Sequence, residues 1–268
     1  MELITFLIIG AVAGFAAGLL GVGGGTIMVP LLYIVFTQMS YSADTTMHLA
    51  LGTSLATIII TSISSLMAHN KNGAVMWPVF KNLAPGMALG CFFGAGIAGW
   101  LSGTHLQIIV GLFLLWVAFT MLTGGQKRVE ANANRSLPST PKQLGAGAAI
   151  GVASAIFGIG GGSLTVPYLN RYGVIMQKAV GTSAACGLPI AIAGALGFML
   201  FGMNDQVDVP NAIGYVHIYA FLGIGIMSFF TAKLGAKAAH TLSPQLLKKC
   251  FAWLLVVVSV FFLFKALV

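Results

Sequence analysis

Along most of this chain, stretches of about 18 or more residues pass with almost no charge. They fall at residues 3–20, 46–69, 77–101, 105–123, 178–202, 211–236 and 246–267. Coiled as a helix, such a run is long enough to cross the roughly 30 Å hydrocarbon core of a bilayer. The charged fraction of the whole chain is 7% and the apolar fraction 58%, against about 25% charged in a soluble domain. Too little polar surface exists to coat a water-soluble fold, so the class expected is an all-α integral membrane protein.

The chain repeats itself. Residues 21–30, GVGGGTIMVP, return at 158–167 as GIGGGSLTVP, identical at six of ten positions. Residues 50–56, ALGTSLA, return at 179–185 as AVGTSAA, in the same order. A polar stretch at 124–142 separates the copies and reads as an exposed linker. The expected organisation is a first transmembrane repeat at 1–123, a cytoplasmic linker at 124–142 and a second repeat at 143–268.

Each glycine motif interrupts an apolar region too long to be one span. Residues 3–38 would make a helix of about 54 Å, yet the second arms alone, 26–38 and 163–172, would reach only about 20 Å and about 15 Å. Each motif is therefore expected to be the tip of a re-entrant hairpin, followed by three full spans. Charge supports this arrangement. With both hairpins re-entering, the halves are inverted, and Lys71, Lys127, Arg128, Arg135, Lys142, Arg171, Lys178, Lys233, Lys237, Lys248 and Lys249 collect on one side. Glu2, Asp44, Asp205 and Asp208 collect on the other, with Lys265. The positive-inside rule makes the basic side cytoplasmic, and puts both termini outside the cell's inner membrane. The formal net charge of +8 thus reports topology, not nucleic-acid binding. The start Met1-Glu2 lacks the basic residues of a signal peptide, so the first apolar segment is expected to stay.

Chemistry is expected at the tips. Thr26 and Ser163 are N-cap residue types for the second arms, and Pro30 and Pro167 follow, each lacking an N–H to bond the cap carbonyl. Free amides of Gly23, Gly24 and Gly25, and of Gly160, Gly161 and Gly162, would point at a ligand with the positive end of a helix dipole behind them. That is an anion site. Thr53, Ser54, Thr182 and Ser183 fall level with the tips. Their hydroxyls would line the site or pack on the hairpins. Inverted repeats with broken helices hold substrate near the midplane.

Other features read as structure. Gly10, Gly14 and Gly18, and Gly86, Gly90 and Gly94, repeat every four residues as small-residue seams that would serve packing within one chain or within a homodimer. Trp77, Trp100 and Tyr215 read as interfacial anchors. So do the histidines at positions 48, 69, 105, 217 and 240, none of which pairs at metal-ligand spacing. His69 with Lys71 would form a basic mouth that gathers anions. Cys91, Cys186 and Cys250 lie inside apolar segments and read as packing residues. No catalytic set, metal site or cofactor motif is evident, so a transporter is expected rather than an enzyme.

On these motifs the chain resembles the sulfite exporter TauE/SafE family, also called the toluene sulfonate uptake permeases. The resemblance rests on G-x-G-G-G-x-x-x-x-P, G-T-S, a His-and-basic loop and G-x-V-x-W at 73–77 in the first half. Residues 158–167, 181–183 and 214–217 carry it in the second, where the aromatic after Gly214 is displaced. It implies transport of small sulfur-containing anions: sulfite, thiosulfate, sulfoacetate or other organosulfonates. Export needs no coupled ion, because an anion leaving an inside-negative cell gains about 2.3 kcal/mol per charge per 100 mV, and no Asp or Glu lies mid-span to relay a proton. An uptake permease, ion-coupled through backbone carbonyls, is the alternative.

Overall fold

Lipid offers no hydrogen-bond partners, so the apolar segments satisfy their own backbone as helices. The computed structural model describes residues 2–20, 25–39, 41–123, 137–205, 209–239 and 244–267. Gly23, Gly24, Asp208, His240 and most of the expected linker lie outside them. The first half comprises α1 (Glu2–Leu20), α2 (Gly25–Gln38), α3 (Ala43–Lys71), α4 (Trp77–Trp100) and α5 (Gly103–Thr123). The second comprises α6 (Thr140–Phe157), α7 (Gly162–Arg171), α8 (Met176–Asn204), α9 (Ile218–Ala239) and α10 (Pro244–Leu267). Among the described residues, α4, α5, α8 and the Asp44–Lys71 part of α3 are long and apolar enough to cross a membrane. Shorter apolar stretches occur in α1, α2, α9 and α10.

Local chemistry sets several boundaries. Ser42 caps α3, its hydroxyl accepting the Thr45 N–H. Proline stands in the first turns of α4 and α6, where its missing N–H costs nothing. The apolar run at 211–236 is not one helix: α9 starts only at Ile218. Asn211 and Gly214 both take positive φ, and a two-residue antiparallel pair, β1 (Ala212–Ile213) with β2 (Val216–His217), precedes it.

The halves interlock. The first arm of each hairpin packs on a span of the opposite half, α1 along α9 and α6 along α4, while each second arm packs on the next span of its own half, α2 on α3 and α7 on α8. Corresponding helices meet at the centre, α3 against α8, and at the side, α5 against α10. Both pairs run antiparallel. Leu55 packs at Gly194 and Ser62 at Gly187, while Gln107 bonds the Phe262 carbonyl and Gly111 the Ser259 hydroxyl.

The glycine seams are spent inside the chain. A Cβ on Gly10 would stand 2.7 Å from the Cα of Ile224, and one on Gly94 would stand 2.9 Å from the Cα of Val152. At Gly90 it would collide with the Ala148 carbonyl. Close approach also lets the Ser228 hydroxyl donate to the Gly10 carbonyl at 3.0 Å. Trp77 and Trp100 are exposed as anchors should be, but Tyr215 is 6% exposed and is a core residue. Its backbone lies where a side chain on Gly52 or Gly202 would be, so those two glycines admit it. Gly90→Val should lower the melting temperature in detergent by overpacking worth about 1–3 kcal/mol. Gly145→Ala, whose new methyl meets nothing within 4 Å, should leave it unchanged or slightly higher.

Candidate functional site

The second tip is built by a helix stop. Gly158 takes φ 62° and ψ 29°, a left-handed C-cap open to glycine, and ends α6. Its N–H and that of Ile159 return to the carbonyls of Ala155 and Ser154. The chain restarts as α7 with Gly161 as N-cap and no side-chain cap bond. Ser163, expected as the cap, is instead the second residue of α7. Thr26 likewise lies within α2, which begins at Gly25. Glycine, which bends here without a Cβ penalty, takes the turn that a capping hydroxyl was expected to make. Pro30 and Pro167 are accordingly the sixth helical residues, in the second turn. Each removes the N–H that would bond the carbonyl four residues earlier, at Thr26 and Ser163.

Both tips lie deep along the central helices. The Ser54 hydroxyl, mid-way along α3, donates to the Gly158 carbonyl at 2.8 Å. Ile58 packs at Gly160, and Gly161 faces Gly187 and Ile190 of α8. The tips touch: a Cβ on Gly25 would stand 2.8 Å from the Cα of Ile159 and 3.0 Å from the Gly158 carbonyl oxygen. Gly25, Ser54, Gly160 and Gly161 are thus brought together.

The two threonines do something else first. The Thr53 hydroxyl accepts the His217 N–H at 3.0 Å, and the Thr182 hydroxyl accepts the Met76 N–H at 2.9 Å. These are equivalent bonds, each threonine holding the irregular loop before a span of the opposite half. Gly52 and Gly181 beside them make room for Tyr215 and Ala74 of the same two loops. As acceptors, both hydroxyls keep a proton free to donate.

Several buried hydroxyls at the hairpins have no partner among the described residues: Thr26 and Thr165 in the first turns of α2 and α7, Ser183 on α8 and Ser154 near the end of α6. A buried hydroxyl left unpaired costs about 1–3 kcal/mol, and a helix start adds N–H groups with no intrahelical acceptor. Neutral donors facing a dipole's positive end can hold an anion by hydrogen bonds alone. Among the described residues no three His, Cys, Asp or Glu side chains gather as a metal site. An open cavity of about 380 Å³ lies elsewhere, between the α3–α4 and α7–α8 connections, with Lys178 on its wall.

Two histidines read as interfacial are buried. His48 stacks on Tyr215 at 4.8 Å, its ring nitrogens 2.7 Å and 2.9 Å from the carbonyls of Asp44 and Ala98. His217 caps α9, its Nδ1 accepting the Ala220 N–H, and packs against Phe6 and Phe36. Tyr215, in the α8–α9 connection, donates to Asp205 at 2.8 Å. Burial and that carboxylate both push its pKa up, so it stays protonated at neutral pH. These contacts were not readable from spacing, although the paired loops GAVM and GYVH at 73–76 and 214–217 mark where the threonines attach.

A bundle of apolar helices with two broken arms meeting half-way along its central pair defines a multi-pass membrane protein of the transporter class. The family model described as "Sulfite exporter TauE/SafE" matches residues 6–262, and the chain belongs to that family. A probable membrane transporter protein of Haemophilus influenzae is 37% identical over 254 residues, covering 95% of each chain. One of Methanocaldococcus jannaschii is 27% identical over 258 residues, covering 96% of this chain and 94% of its own. A probable inner membrane transporter protein, TsaS, of Comamonas testosteroni is 24% identical over 203 residues, covering 74% and 78%. No solved structure matches.

Replacing Thr53 or Thr182 with valine strands a loop N–H in a buried place. Each change should cost about 1–3 kcal/mol in thermal unfolding, and serine at either position should restore most of it.

Proposed function

We propose that this protein carries small sulfur-containing anions, such as sulfite, thiosulfate or organosulfonates, out across the inner membrane. The ligand sits near the midplane between the two tips. The observation that carries the reading is the contact of Gly25 with Gly158 and Ile159 half-way along α3 and α8, beside buried hydroxyls that have no partner among the described residues. Amides of Gly23, Gly24 and Gly25 and of Gly160, Gly161 and Gly162 bind the oxyanion. Hydroxyls of Thr26, Ser163 and Ser183, with the free protons of Thr53 and Thr182, complete the cage, while Ser54, whose proton goes to the Gly158 carbonyl, holds the second tip in place.

The halves are inverted in the membrane. The antiparallel course of α3 against α8 and of α5 against α10 supports this, because parallel repeats would run corresponding helices the same way. Sorting of basic residues then puts the 124–142 linker in the cytoplasm and both termini outside. The hairpins act as gates, α1 and α2 toward the outside, α6 and α7 toward the cytoplasm. The family description names sulfite export, which fits an anion driven outward by an inside-negative potential.

An ion-coupled uptake permease is the competing reading. The carbonyls of Thr26 and Ser163, freed by Pro30 and Pro167, favour it, since unpaired carbonyls coordinate sodium. Proteoliposomes loaded with sulfite separate the two. Export predicts efflux that rises with an inside-negative potential and ignores sodium and proton gradients; dependence on such a gradient without response to potential would establish the permease. Gly161→Leu should cut flux at least tenfold with normal insertion, because its side chain would fill the space against Ile190 and Thr165.

A further inference from the structure

The two hairpins share a motif but not a lining. Aligned on their glycines, Thr26 corresponds to the like residue Ser163, but Met28 corresponds to Thr165. Four residues beyond each Thr-Ser pair, Ile58 corresponds to Gly187. At both positions the first half carries a large apolar side chain, and the second half carries a small or polar residue.

These second-half residues converge on one point. A Cβ on Gly161 would stand 3.3 Å from the Thr165 hydroxyl oxygen, 3.5 Å from the Gly187 nitrogen and 3.0 Å from Cδ1 of Ile190. A Cβ on Gly187 would stand 2.8 Å from the Ser62 hydroxyl oxygen and 4.0 Å from the Gly161 nitrogen. The start of α7, a helix of ten residues, adds first-turn N–H groups that have no intrahelical acceptor.

Thr165 is the informative member. It is fully buried, and its hydroxyl has no partner among the described residues. A helical threonine ordinarily donates back to the carbonyl one turn earlier. Here that carbonyl is Gly161's, which accepts the Thr165 N–H at 2.8 Å but not the hydroxyl. The uncompensated group lies at a positive helix end, beside Gly161 and Gly187, which put no side chain between it and the backbone amides.

Resting on the carrier reading above, we infer that the oxyanion sits off the axis relating the two tips. Its pocket belongs to the second tip, with Thr165 as a substrate-binding hydroxyl and Ser62 on the facing wall. The first hairpin closes over this pocket without supplying an equal half of it, because it carries Met28 and Ile58 where the second half carries Thr165 and Gly187.

The test uses the full chain in proteoliposomes with sulfite, thiosulfate and methanesulfonate as probes. Thr165→Val keeps the shape and removes the donor. It should raise KM for a transported probe about tenfold or more, the loss expected for one hydrogen bond to a charged group. Thr165→Ser should stay within about threefold of the parent on the same scale. Because the hydroxyl has no partner among the described residues, valine should leave the melting temperature unchanged or higher. A purely structural threonine would instead lower it, together with flux, and that result overturns the inference. So does an unchanged KM in Thr165→Val. If Gly161→Leu blocks transport while Thr165→Val does not change KM, only the role of Thr165 falls. Normal flux in Gly161→Leu, or no flux of any probe in the parent protein, removes the tip site and this inference with it.

Discussion

A backbone N–H inside lipid has no water to turn to, and much of this fold follows from how its irregular segments meet that demand. Helices answer it internally. The loops before α4 and α9 cannot, and each is held by one threonine hydroxyl from the other half, Thr182 on Met76 and Thr53 on His217. The glycine before each threonine lets the loop come close enough for the bond to form. Gly-Thr-Ser is therefore a junction motif: its first two residues join the halves, and Ser54 anchors the second tip through the Gly158 carbonyl. The position of that tip thus depends on the same helix that holds the halves together.

Pseudosymmetry and its breaking carry different information. The exchanged packing of α1 on α9 and α6 on α4, and the two threonine bonds, repeat when the halves are swapped. Departures at the tips and loops include Thr165 for Met28, Gly187 for Ile58, and His217 for Met76. Nine residues of α2 are buried but only Thr165 and Leu169 of α7, so the first hairpin's return arm is packed into the protein, whereas the second's is half open. A repeated sequence pattern underlies the exchanged packing, and the differences between its copies set the chemistry of each tip apart.

Much of the fold was legible in the sequence because charge-free length is a strong constraint. The spans expected at 46–69, 77–101, 105–123 and 178–202 match α3, α4, α5 and α8 within a few residues. The start of α9 was missed because Asn211 and Gly214 bend a segment that remains apolar, and hydropathy does not register backbone conformation. The caps were misplaced by one or two residues because glycine can make the turn that Thr26 and Ser163 were expected to make. Tyr215, His48 and His217 were assigned to the interface by their position in the chain, yet they are buried by contacts far away in sequence: Tyr215 against α3, His217 against α1, and His48 against Tyr215 and the end of α4. Tip residues were nameable from the repeat, but Thr165 did not stand out, since a lone threonine in an apolar run carries no signal until its missing hydrogen bond is seen.

The swapped arms set an order on biosynthesis. α1 leaves the ribosome first, but the surface that receives Gly10 and Gly14 is on α9, made some two hundred residues later. Until then its glycine stripe must wait in the bilayer without a partner, and the same holds over a shorter delay for α4 awaiting α6. Contacts so distant along the chain close slowly. Native assembly of the first half is thus withheld until translation is nearly finished, which makes a truncated nascent chain a natural target for membrane quality-control proteolysis.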